Sequence, residues 1–141
     1  MNAAKWALFG FVLLNGTTFL YAEDVPALWC IDKMELPVYE GIFWQAQITG
    51  NALVSILVAK DGKASDVKVK SSPHPAMTLW LERSFRKAIF LNTCVGKTLE
   101  IALQYKLEGR LTENPENRIT IRYPGEFVIM AGPPLLHGSI D

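Results

Sequence analysis

An α+β fold, with two helices packed on one face of a small antiparallel β-sheet, is what the sequence predicts, and three observations predict it. Residues 98–107 alternate strictly: Leu99, Ile101, Leu103, Tyr105 and Leu107 share one side, Thr98, Glu100, Ala102, Gln104 and Lys106 the other. That is a strand with one buried and one wetted face. Residues 52–59 are rich in Val, Ile and Leu, with Ala52, Val54, Ile56 and Val58 on one face, and lead into Lys60-Asp61-Gly62-Lys63. The Asp-Gly step suits a tight hairpin, because glycine takes positive φ without penalty. Between these strands, Met77, Trp80, Leu81, Phe85, Ala88 and Ile89 form one apolar stripe while Glu82, Arg83, Arg86 and Lys87 face water, which is an amphipathic helix. Helices and strands in this order segregate into two layers.

Taken from the N-terminus, Lys5 is the only charge before Glu23, and an almost unbroken apolar run over residues 6–15 leads to Leu20-Tyr21-Ala22. Residues 1–22 therefore predict a cleaved secretory signal peptide. A retained signal anchor is the rival, although residues 6–21 fall short of the roughly 20 apolar residues a bilayer span needs. Residues 23–35 mix charge, Pro26 and Trp29 without a period and read as an irregular lead-in. Apolar positions Val38, Tyr39, Ile42, Phe43 and Ala46 recur at helical spacing, with Pro37 before them and Gly50 after, so a short helix is expected over 38–48.

The return strand of the hairpin is expected over 64–70, with Val67 and Val69 opposite Lys68 and Lys70. Ser71-Ser72-Pro73-His74-Pro75 then opens the second helix, with His74 as its cap and Pro75 in the first position, where a missing N–H costs nothing. Residues 109–117 read as a loop around Pro115. Residues 118–123 and 127–130 are expected as late strands of a β-rich extension (109–131), and 132–141 as a flexible tail.

Composition excludes more chemistry than it suggests. Fourteen basic and fourteen acidic residues give no net charge, and no four like charges stand in a row, so a nucleic-acid-binding surface is not expected. Half the residues are apolar and a fifth charged, so the chain is expected to fold. Two histidines and two cysteines are too few for a zinc cluster, and no nucleophile-elbow, zincin or phosphate-loop string occurs; neither metal nor cofactor is expected. His74 and His137 lack a Ser, Cys or carboxylate partner at local spacing, so no catalytic residue is named and the protein is read as a non-enzyme. In an exported protein, Cys30 and Cys94 suggest a disulfide closing a loop of about 65 residues, worth about 4 kcal/mol in the chain-entropy model. Two buried free thiols are the alternative.

Pro37-Val38-Tyr39, then Ala46, Ile48 and Gly50, the apolar strand, Lys60-Asp61-Gly62-Lys63, Val67-Lys68-Val69, Ser71-Ser72 and His74-Pro75 together resemble the TonB C-terminal domain family over residues 36–108. The chain also resembles that family's short secreted members, which join a signal peptide, one such domain and a β-rich extension. It departs from the family pattern at Glu40, Phe43, Met77 and Thr78. The resemblance implies a periplasmic protein that binds a peptide strand or partner protein, an outer-membrane receptor segment for instance, by adding a strand to an exposed sheet edge. Thr98, Glu100, Ala102, Gln104 and Lys106 mark the candidate edge, unless residues 118–123 or a second copy of the chain cover it. The alternatives are a structural or assembly protein that dimerises through its sheet edge and a membrane-anchored energy transducer. Against the transducer, the 13 residues between Ala22 and Leu36 reach at most roughly 45 Å.

Overall fold

The computed structural model describes residues 26–122 and 124–136. The signal-peptide reading of residues 1–22, together with Tyr123 and His137, therefore lies outside the described residues. After a 3-10 turn at Ala27–Cys30 come β1 (Ile31–Lys33), α1 (Gly41–Gln45), β2 (Gly50–Val58), β3 (Ala64–Ser71), α2 (Pro75–Arg86) and β4 (Ile89–Phe90). A second 3-10 turn, Asn92–Cys94, precedes β5 (Thr98–Leu107), β6 (Arg118–Arg122) and β7 (Glu126–Ala131). The class is α+β, as predicted from the sequence.

The sheet itself is mixed rather than antiparallel. Its strand order is β3-β2-β5-β7-β6, and β1 and β4 form a separate two-stranded ribbon. β2 pairs antiparallel with β3 and with β5, whereas β7 runs parallel to β5 and antiparallel to β6. The parallel pair arises because the chain leaves β5, passes the neighbouring position, forms β6 and turns back through Pro124 and Gly125 to fill the gap as β7. The β2–β3 turn is closed by Ala59 N–H to the Lys63 carbonyl at 2.8 Å, with Gly62 at φ +80°. A Cβ on Gly62 would stand 2.9 Å from the Phe90 carbonyl oxygen, so both its conformation and its closeness to β4 require glycine.

One face of the sheet carries the core. Ala52, Val54, Ile56 and Val58 of β2, Leu99, Ile101, Leu103 and Tyr105 of β5, and Phe127, Ile129 and Ala131 of β7 are buried in one cluster with Met77, Leu81 and Phe85 of α2 and Phe43 and Trp44 of α1. The rings of Phe43 and Trp80 meet edge to face at 6.3 Å and join the two helices. α2 starts as expected: His74 Nδ1 accepts from the Ala76 N–H at 3.0 Å, and Pro75 takes the first turn. It ends at Arg86, so that Ala88 still reaches the core while Ile89 passes into β4.

The first helix is shorter than its periodicity suggests. α1 covers five residues, Ile42 is 72% exposed, and Trp44, outside the expected stripe, is buried. Gln47 at φ +54° ends the helical path, and the Ile48 N–H closes the turn on the Phe43 carbonyl. Cys30 and Cys94 are bridged, with Cα atoms 5.8 Å apart, inside the span a disulfide accepts, and both are buried. Residues 132–136, read from sequence as the start of a flexible tail, are bonded to the body of the protein. The Gly132 carbonyl accepts from Trp44 Nε1 at 2.7 Å, and Thr112 N–H donates to the Pro133 carbonyl at 2.9 Å.

Candidate functional site

A strand can recruit an extended partner only through backbone groups that no neighbour has taken. β5 does not offer such an edge. All its residues from Thr98 to Tyr105 lie in register with β2, and Ala102 to Leu107 lie in register with β7 on the other side. Ala102 N–H donates to the Gly125 carbonyl at 2.8 Å. The backbones of Ala102, Gln104 and Lys106 are thus enclosed within the sheet. Thr98 and Glu100 lie beyond the start of β7, but there Gly125 abuts the strand, since a Cβ on it would come within 3.1 Å of the Glu100 carbonyl oxygen. The Glu100 carboxylate pairs with Lys70 Nζ across the outer face. The edge predicted at Thr98 to Lys106 is therefore occupied from Ala102 onward, and by β7 rather than by residues 118–123 or a second chain.

The true rims are β3 and β6. β3 is defended: its ladder to β2 is irregular at two places, Lys68 and Lys70 project from it, and Lys68 pairs with Asp66 at 3.9 Å. Bulges and lysines are the usual means of blunting an edge. β6 has neither. Its five residues, Arg118-Ile119-Thr120-Ile121-Arg122, pair regularly with β7 through Arg118↔Met130, Thr120↔Val128 and Arg122↔Glu126.

Which groups of β6 face outward follows from the hydrogen bonds of β7. The bond from Ala102 to Gly125, and that from the Glu108 N–H to the Ala131 carbonyl at 2.9 Å, turn the peptide groups of Phe127, Ile129 and Ala131 toward β5. Those of Glu126, Val128 and Met130 then face β6, so Arg118, Thr120 and Arg122 make the β6–β7 hydrogen bonds. The N–H and C=O of Ile119 and Ile121 point out of the sheet, and among the described residues none of them is hydrogen-bonded. Their side chains stand opposite Ile129 and Phe127, on the core face, where Ile119 is half-buried and Ile121 is 61% exposed. The rim thus combines two free donors, two free acceptors and an apolar shelf.

The position of β6 is held from behind. The Tyr39 N–H donates to Asn117 Oδ1 at 2.6 Å, which fixes the chain just before the strand to the start of α1. The Tyr39 hydroxyl donates to the Ile48 carbonyl, and its ring meets Tyr105 edge to face at 5.3 Å. Burial pushes the Tyr39 phenol up to about 12. Burial, with smaller contributions from Tyr39 and Glu40, pushes Tyr105 up as well. Neither ring is placed to act on a bound molecule. Among the described residues no three His, Cys, Asp or Glu side chains converge as a metal site would require, and no helix is long and apolar enough to cross a membrane.

Local reading did not single out β6 as the binding rim, yet a signal was present. Phe127-Val128-Ile129-Met130 is apolar at every position, as in a strand covered on both faces, whereas 118–122 carries a polar residue at every second place. That contrast assigns the inner position to 127–130 and the rim to 118–122. The chain matches no family model, no curated protein and no solved structure.

Proposed function

We propose that this protein is an exported, non-enzymatic binding module that captures an extended segment of a partner protein as an added strand along β6. One observation carries the reading: the outward N–H and C=O groups of Ile119 and Ile121 on a regular rim strand that lacks the bulges of β3. The antiparallel β3-β2-β5 unit, with α2 linking β3 to β5, supports the resemblance to TonB C-terminal domains. The buried Cys30–Cys94 bridge supports an oxidising compartment such as the periplasm. The binding rim proposed here is β6 in place of β5.

The test is fluorescence anisotropy with a labelled, capped Thr-Val-Thr-Val-Thr peptide titrated against the purified chain and against Ile121→Pro. Proline removes an N–H that points outward and leaves the β6–β7 ladder its donors, a placement rim strands tolerate. Saturable binding lost in Ile121→Pro supports the module. Absence of binding, together with self-association that Ile121→Pro abolishes, would assign the rim to a second copy.

A further inference from the structure

The side chains on β6 restrict what can pair with it, and this inference rests on the strand-addition reading above. Arg118 and Arg122 stand at the two ends of the strand, both exposed and both on the outer face. Neither forms an ion pair among the described residues, where the ion pairs are Lys68–Asp66 and Lys70–Glu100. Acidic groups are nearby but do not close on them: Glu126 of β7 lies directly across from Arg122 on the same outer face, and Arg118 shares a cleft with Glu108, Glu116 and Arg110.

A second copy is the first occupant to consider, because Arg118-Ile119-Thr120-Ile121-Arg122 reads the same in both directions. Antiparallel self-pairing about Thr120 would match isoleucine with isoleucine, but it would set Arg118 against Arg122 of the other copy at both ends. Like charges directly opposite are destabilising. The opposition is sharpest here because Arg118, Thr120 and Arg122 send their peptide groups to β7. On the free side they occupy non-hydrogen-bonded positions, where facing side chains come closest. The same geometry rewards a carboxylate opposite each arginine. Ile119 and Ile121 occupy the hydrogen-bonded positions and present apolar side chains to the core face.

We infer that β6 selects an extended acidic segment of a partner protein, added antiparallel, with carboxylates four residues apart flanking two apolar residues in the order acidic, apolar, any, apolar, acidic. The paired arginines act in two ways, opposing self-association and recognising this pattern.

Capped Glu-Val-Thr-Val-Glu, Lys-Val-Thr-Val-Lys and Thr-Val-Thr-Val-Thr peptides, each labelled, are titrated against the purified full chain. The acidic peptide is expected to bind about tenfold tighter than the lysine peptide, a difference expected from two opposite-charge pairs replaced by two like-charge pairs. The preference should shrink as salt is raised and reverse in the Arg118→Glu/Arg122→Glu variant. N-methylation of both valine amides in the acidic peptide should abolish binding, a control that needs no altered protein. If all three peptides bind equally and N-methylation still abolishes binding, the charge inference falls and strand addition stands. If none binds, or the N-methylated peptide binds as well as its parent, strand addition at β6 falls with it. Sedimentation showing a dimer that Ile121→Pro dissociates would also overturn the inference, by giving the rim to a second copy.

Discussion

Among the described residues, Tyr105 is the largest buried group with an unmet need. Its hydroxyl is enclosed and has no hydrogen-bond partner among them, whereas the neighbouring Tyr39 hydroxyl reaches the Ile48 carbonyl. Removing an unsatisfied buried hydroxyl is favourable, so Tyr105→Phe is expected to raise stability by about 1 kcal/mol, read from the midpoint of urea unfolding. The two phenols also set an alkaline limit. Both are raised in the folded state above the ordinary value of 10, so each favours folding fully below pH 10. That contribution is lost as the pH climbs toward and through about 12, the Tyr39 value. Urea midpoints should therefore fall above pH 10, and fall less in Tyr105→Phe. Gly132 offers a steric counterpart: a Cβ there would lie 2.3 Å from the Arg110 carbonyl oxygen. Gly132→Ala should cost about 1–3 kcal/mol in the same measurement, as overpacking does. None of this was legible locally, because Trp44 bonds to Gly132 from 88 positions away and Tyr39 to Asn117 from 78.

Among the elements, the face each strand buries was legible and its neighbour was not. Alternation in 98–107 told which side chains go inward, and Leu99, Ile101, Leu103 and Tyr105 do. It could not tell that a later segment would cover the open side, since a period of two carries no information about sequence-distant pairing. The hairpin and the cap at His74 were legible because their chemistry is local. The helix expected over 38–48 shortened to five residues because the chain must reach β2 through Gln47 and Gly50, both at positive φ. The placement of β7 and β6 predicts different responses to proline. Ile121→Pro should leave far-ultraviolet circular dichroism and the unfolding midpoint near wild type. Gln104→Pro, which removes a ladder donor from an internal strand, should unfold the protein or cost about 3 kcal/mol or more.

At the scale of the whole molecule, the disulfide ties the start of the described chain to the turn before β5. Cys30 is 64 positions from Cys94, and the Leu91 N–H donates to the Cys30 carbonyl at 2.8 Å. Cys30→Ala/Cys94→Ala should lower stability by about 4 kcal/mol if the bridge acts mainly on the unfolded chain, measured by urea unfolding. Two cysteines in a chain read as exported suggested the pair, but the sequence could not measure the 5.8 Å that permits it. The α+β class followed from patterns along the chain, while the mixed sheet followed from the long connection between β5 and β6, whose path no local pattern specifies.

Amide hydrogen exchange, resolved residue by residue by NMR on the unliganded chain, tests the location of the open rim most directly. The Ile119 and Ile121 amides should exchange fast while those of Arg118, Thr120 and Arg122 are slowed and those of Ala102, Gln104 and Lys106 are strongly protected. Fast exchange at Ala102, Gln104 and Lys106, with protection at Ile119 and Ile121, would contradict the account and return the free edge to β5.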